Sequence, residues 1–262
     1  MRWTRVKGIL LQEIYVTRTS LEVFMDIAFF PIMTTIVIGF FSDYLNSKLN
    51  NLTAYYLLLG SLLWEIVHIT QYSMSVSTLW NVWSKNLSNV FITPISLKEF
   101  LLAHMISSVL KTTAVFIVMS TLALILFKFN VYSVGFLNLI TFWFNLTFFA
   151  WSTGIIILGM IFLFGTRIQA FAWGLIFLFQ PLTAAFYPLD ILPSALKAFA
   201  LMFPPTYVFE AARGALVNNT FNLSYFLIPL FENLVFFALA IYLFNLMFNK
   251  SKDTGQFARN EA

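Results

Sequence analysis

VGFLNLITFWFNLTFFAWSTGIIILGMIFLF, Val134 to Phe164, contains no charged residue. A helix crosses the ~30 Å hydrocarbon core of a bilayer with about 20 predominantly apolar residues, so this run is long enough to span. In lipid every backbone amide must be satisfied within its own segment, which leaves helices or closed barrels. Barrel strands alternate polar and apolar positions over about ten residues, and this run does not alternate. It reads as a membrane-spanning helix. Gly165, Thr166 and Arg167 then make a tight break, and Ile168 to about Tyr187 reads as the next span.

The rest of the chain has the same character. Of 262 residues, 60% are hydrophobic and 10% charged, whereas soluble domains carry about 25% charged residues. Upstream, Val23 to Phe41, Tyr55 to roughly Thr78, and a helix opening after Pro94 and running to about Phe127 read as spans one to three. Leu223 to Phe248 reads as the last. Thr19 with Glu22 and Ser96 with Glu99 have capping-box spacing, and Pro31 is expected to kink the first span. Ser42 to Asn51 and Lys128 to Ser133 read as connections.

Two segments are amphipathic instead. In MRWTRVKGILLQEIYVTR, Trp3, Val6, Leu10 and Ile14 fall near one helical face, which predicts a helix over 1–20 lying in the membrane interface. Its apolar core, Gly8 to Leu11, is too short for a signal peptide, and no small-residue cleavage site follows, so it reads as retained. Between Leu79 and Thr93, Asn81, Ser84, Lys85, Ser88 and Asn89 share one face, and Trp80, Trp83, Leu87 and Phe91 another. That pattern predicts a second interfacial helix, 79–93, ended by Pro94.

After the fifth span the pattern breaks at Pro188, Pro193, Pro204 and Pro205. Twelve helical residues cover roughly 18 Å, so the pieces up to Asn218 are too short to cross. They read as a re-entrant helical hairpin, 188–218, or a pair of surface helices. With six spans and a hairpin that does not cross, Arg2, Arg5, Lys7, Arg18, Lys85, Lys98, Arg167, Lys250, Lys252 and Arg259 fall on one side. Lys48, Lys128, Lys197 and Arg213 fall on the other. The side richer in Lys and Arg is cytoplasmic, which puts both termini, including the tail 249–262, inside. The expected fold is an all-α membrane protein forming one transmembrane domain over 1–262.

The chemistry legible in the sequence is sparse. No Walker-type GxxxxGK[ST], HExxH or GxSxG motif is present, there are no cysteines, and the only histidines are His68 and His104. No catalytic residue and no metal site is expected, and the basic residues do not form the single stripe of a nucleic-acid binder. Charged groups inside spans are functional candidates by default because they are costly in hydrocarbon. The spans offer Glu65, Lys111 and Glu232. Glu65 and His68 form an i, i+3 pair that lines a polar cavity or satisfies itself, and Lys111 is placed to snorkel along its own stem. Glu210 and Arg213 form a second i, i+3 pair on the proline-broken segment.

At FYPLDILPSALKAFALMFPPTYVFEAARGAL, Phe186 to Leu216, the chain resembles the type 2 permease family of ABC exporters. Pro188-Leu189, Pro205, Thr206, Tyr207, Glu210 and Arg213 fill the places of that family's degenerate pattern. TPISLKEFLLAHMI, Thr93 to Ile106, is similar to its approach to the third span. The resemblance implies a permease subunit in the cell (inner) membrane that pairs with a second permease subunit, identical or not, and with two cytoplasmic ATPase subunits that bind ATP and Mg. It implies coupling to the ATPase through Trp83, Lys85, Asn86 and Ser88, an outer gate near Tyr207, Glu210 and Arg213, and a lipid, drug-like or glycoconjugate or polysaccharide substrate. A secondary transporter or channel centred on Glu65 and Lys111 is the alternative, and a membrane scaffold a third.

Overall fold

The computed structural model describes residues 2–48, 51–218 and 222–255. Part of the connection expected at 42–51 and the tail beyond Gly255, with Arg259, lie outside them. Among the described residues the chain is helical with no strand. The helices are α1 (Trp3–Thr19), α2 (Leu21–Phe24), α3 (Phe30–Lys48), α4 (Asn51–Trp83), α5 (Leu87–Ile92), α6 (Leu97–Phe127), α7 (Phe136–Phe164), α8 (Gln169–Leu182), α9 (Ser194–Ala200), α10 (Pro204–Asn218) and α11 (Ser224–Asp253). Four stretches are long and apolar enough to cross a membrane: Leu21–Lys48, Leu97–Phe127, Phe136–Leu182 and Ser224–Asp253. The fold is that of an all-α, membrane-embedded bundle.

Contacts fix the direction of each long helix. Thr70 meets Thr112 at 2.8 Å and Tyr55 packs on Phe129, so α4 and α6 are antiparallel. Tyr72 bonds Asp26, and Phe40 meets Phe127, so α3 runs with α6. The Trp151 indole donates to Ser108 at 3.1 Å, while Phe136 and Leu139 face Thr113 and Ile117, which sets α7 against α6. Phe149, fifteen residues before Phe164, touches Phe179, fifteen residues after it, at 5.4 Å. The chain therefore reverses at Gly165 (φ 65°), a backbone conformation that glycine tolerates best. α11 runs parallel to α7: Asn233 donates to the Asn145 carbonyl at 3.0 Å, and Phe162 packs on Phe248. α3, α4, α6, α7, α8 and α11 thus alternate between a basal end, with Trp3, Lys85 and Gly165, and an apical end, with Lys48, Lys128 and Tyr225.

Close approach of helices replaces the hydrophobic effect as the packing force in lipid, so small residues at contacts matter. Gly154 admits Met74, with an added Cβ only 3.1 Å from that side chain, and Gly159 admits Phe244 and Met247. Gly60 is tighter still: a Cβ there would lie 2.1 Å from the Ala185 carbonyl oxygen.

Several boundaries differ from the sequence reading. Ser20, not Thr19, caps the first membrane helix, accepting from the Val23 amide, while the Thr19 hydroxyl turns back to the Tyr15 carbonyl. One π-turn, Met25–Phe29, precedes Pro31, with the Phe30 amide reaching the Met25 carbonyl. The missing Pro31 N–H makes regular helical bonding impossible at this level, and the wider turn absorbs the defect. Ser42 to Lys48 continues α3 rather than leaving it, α4 extends past Thr78 to Trp83, and α11 extends past Phe248 to Asp253. At the third span the expected Ser96–Glu99 capping box is present in both directions. α8 has 14 residues, about 21 Å of helix, shorter than the span expected from Ile168 to Tyr187.

After α8 the chain turns at Ala184 (φ 53°), passes through α9 and reaches Phe203, whose ring meets Phe179 and Phe236. Phe236 lies twelve residues into α11, about 18 Å from its apical start. α10 then rises along α4, with Phe209 against Trp64, back to the apical end.

Candidate functional site

The basal end is built on α1. Its buried face is Val6, Ile9 and Glu13, and of the apolar stripe Trp3 and Ile14 are exposed with Leu11 and Tyr15 while Val6 is buried. The face of α1 turned to the bundle thus carries a buried carboxylate. Glu13 accepts from the Lys111 ammonium at 2.9 Å and from the Ser77 hydroxyl at 2.6 Å, with His104 at 3.7 Å. Burial raises the Glu13 pKa, but Lys111, His104 and the two hydrogen bonds outweigh it, so the carboxyl sits below its ordinary value. Nearer the amino terminus the Arg2 amide donates to Glu99 at 2.6 Å and Arg5 lies 3.5 Å from the same carboxylate. Gln12 donates to Asn81 at 2.8 Å. α1 is thus bound to α4 and α6 by charge and amide contacts along most of its length.

Lys111 does not snorkel alone. Its partner is Glu13, ninety-eight positions away in the chain. Sequence reasoning overlooked Glu13 because an acid on an otherwise amphipathic helix reads as solvated. The available signal was its i, i+4, i−4 neighbourhood: Ile9 and Thr17 flank it on the face that also carries Val6.

The interfacial helix expected over 79–93 is two pieces. α4 runs on through Trp83, the chain turns at Ser84–Asn86 with Lys85 in the left-handed region (φ 53°), and α5 covers Leu87–Ile92. A continuous amphipathic helix would put Asn81 on its exposed face. Instead Asn81 is buried and its side-chain oxygen accepts from Gln12 and Asn86, which draws the chain into an elbow. Lys85 is exposed at the tip, Asn86 and Ser88 are half-buried beside it, and Trp83 stacks on Trp173 of α8 at 6.0 Å.

Farther up α4, Glu65 and His68 pair at 3.0 Å as the i, i+3 spacing allows. The His68 ring contacts Tyr72 and Phe177, and Tyr72 donates to Asp26 of the π-turn. Three titratable side chains thus follow one face of α4, and the last of them is joined to Asp26 of the π-turn. Glu65 is 6% exposed, so this face is not a solvated one.

At the apical end, Arg213 donates to Glu210 at 2.7 Å and to the Ala184 carbonyl at 3.0 Å, and Glu210 also accepts from the Leu189 amide at 2.7 Å. The pair does more than neutralise itself: it holds the left-handed turn after α8 onto α10. The Tyr207 hydroxyl donates to the Leu201 carbonyl at 3.0 Å, closing the tip of the hairpin. A cavity of about 210 Å³ lies between α7, α10 and the start of α11, with Asn138, Thr141, Glu210, Asn218 and Tyr225 on its walls. Among the described residues no group of three or more His, Asp or Glu could hold a metal ion.

No protein-family model matches the chain, and no curated protein matches it.

Proposed function

We propose that the chain is the membrane permease subunit of an ATP-driven exporter. In this reading it crosses the membrane six times, through α3, α4, α6, α7, α8 with the turn that follows it, and α11. The α9–α10 hairpin enters from the outer side, and the basal end is cytoplasmic. It works with a second permease subunit and two ATPase subunits that bring ATP and Mg, and it moves a lipid, drug-like or glycoconjugate substrate outward.

The observation that carries the reading is the continuity of α4. Its thirty-three residues form one helix of about 50 Å. At its basal end it leads into the exposed elbow at Lys85. At its apical half it packs through Gly60 and Trp64 on the hairpin at Ala185 and Phe209. A force applied to Trp83, Lys85, Asn86 and Ser88 by a cytoplasmic partner is delivered by a rigid rod to Glu210, Arg213 and the Ala184 turn. α1, tied to the same rod at Asn81 and Ser77, moves with it.

A second reading, proton-coupled transport or conduction without an ATPase, is favoured by the Glu65–His68–Tyr72–Asp26 face, because buried ionisable groups in such bundles mark ion paths. Gentle purification from the native host followed by mass spectrometry separates the two. A stoichiometric P-loop ATPase supports the exporter, and Lys85→Glu is then expected to leave the complex assembled while abolishing stimulation of ATP hydrolysis by transport. Reproducible absence of an ATPase overturns the exporter reading in favour of the second.

A further inference from the structure

A groove of about 270 Å³ opens between α1 and α6, lined by Leu10, Ile14, Thr17, Arg18, Leu110 and Lys111. Its walls are aliphatic and its rim is cationic. The Lys111 ammonium is matched by Glu13. Arg18 is exposed and forms no ion pair among the described residues, so a guanidinium without a counter-charge stands at the mouth of an apolar slot.

Beyond the slot the exposed face of α6 continues through Leu110, Ile117 and Leu124. These positions recur every seven residues and rise by about 21 Å, more than half of a ~30 Å hydrocarbon core. Lys128, which caps α6 after Phe127, lies about 26 Å beyond Lys111 along the helix, close to that same thickness. An apolar belt bounded by Lys111 and Lys128 would set Arg18 at the depth of the head groups. Next to Arg18, Leu11, Ile14 and Tyr15 on the outward face of α1 are exposed as well.

One occupant matches both halves of the groove. A water-soluble anion would use the cation and leave the aliphatic wall bare, and a zwitterionic lipid brings its own cation to Arg18. We propose that the α1–α6 groove binds one anionic phospholipid, with its phosphate on Arg18 and an acyl chain along Leu110, Ile117 and Leu124. The lipid covers the outer side of the helix whose inner side is held by Glu13, so it secures α1 against the bundle independently of what the protein transports.

The test is native mass spectrometry of the full-length protein in mild detergent, titrated with phosphatidylglycerol or with phosphatidylcholine of the same chains. One phosphatidylglycerol is expected to be retained about fivefold more strongly than phosphatidylcholine, the preference that one arginine near an anionic head group supplies. Arg18→Gln is expected to erase that preference while leaving phosphatidylcholine retention unchanged. Leu110→Trp, which fills the slot, is expected to reduce retention of both lipids. Lys250→Gln with Lys252→Gln, at the basal end of α11, should change neither. Undiminished preference in Arg18→Gln overturns the proposal, as does equal loss in the α11 variant, which would mean diffuse attraction to basic residues. If Arg18→Gln fails to fold, Leu110→Trp decides: phosphatidylglycerol retention equal to that of the parent refutes the site.

Discussion

Removing the Lys111 charge tests how α1 is held. Lys111 and Glu13 lie 2.9 Å apart, with side-chain exposures of 10% and 4%. At an effective dielectric constant of about 20, two unit charges at that distance attract by roughly 6 kcal/mol. Much of this is offset by desolvation, but deleting one partner leaves a buried charge uncompensated, a loss of about 3–5 kcal/mol. Expressed as an equilibrium, the docking of α1 weakens by roughly two to three and a half orders of magnitude. The chain has no cysteine, so Ile9→Cys, at a position 4% exposed on the docked face, introduces a unique thiol. Its maleimide labelling is expected to be slow in an otherwise unchanged background and at least about 100-fold faster with Lys111→Met. Adding Glu13→Gln to Lys111→Met removes both charges and should restore slow labelling to within about tenfold, since exchanging a whole buried pair for neutral groups is often close to neutral. Unchanged labelling in Lys111→Met, or labelling of the neutral pair as fast as that of the single variant, refutes the argument.

Acid should release the same contact. The Glu13 pKa is held below its ordinary value in the folded protein, so the pair contributes fully above about pH 4.3 and its contribution is lost as pH falls through the folded value. A nitroxide at exposed Tyr15 should gain mobility only in that acid range, and Glu13→Gln should abolish the transition. In the bundle, Gly60→Ala drives a methyl group to 2.1 Å from the Ala185 carbonyl and is expected to destabilise by about 1–3 kcal/mol, measured as thermal aggregation in detergent. Gly174→Ala, with nothing within 4 Å, should leave the midpoint unchanged.

The sequence by itself determined the class of fold and the approximate positions of the long helices. Long apolar runs such as Phe136–Phe164, which is uncharged, and Leu97–Phe127, where Lys98, Glu99 and Lys111 are the only charges, have no alternative in lipid to satisfying their own amides, and the Ser96–Glu99 cap is a contact between neighbours in the chain. The pairs Glu65–His68 and Glu210–Arg213 were legible for the same reason, because three residues of helix bring their side chains together. What only the tertiary structure decided were contacts between distant segments: Lys111 with Glu13 rather than snorkelling along its own stem, Arg213 with the Ala184 turn, and Asn81 with Gln12. The elbow at Lys85 belongs with them, since helical periodicity favoured one unbroken amphipathic helix and a hydrogen bond from α1 broke it. A buried charge is stabilised by whichever opposite charge folding brings within about 4 Å, and helical periodicity carries no information about partners on another helix.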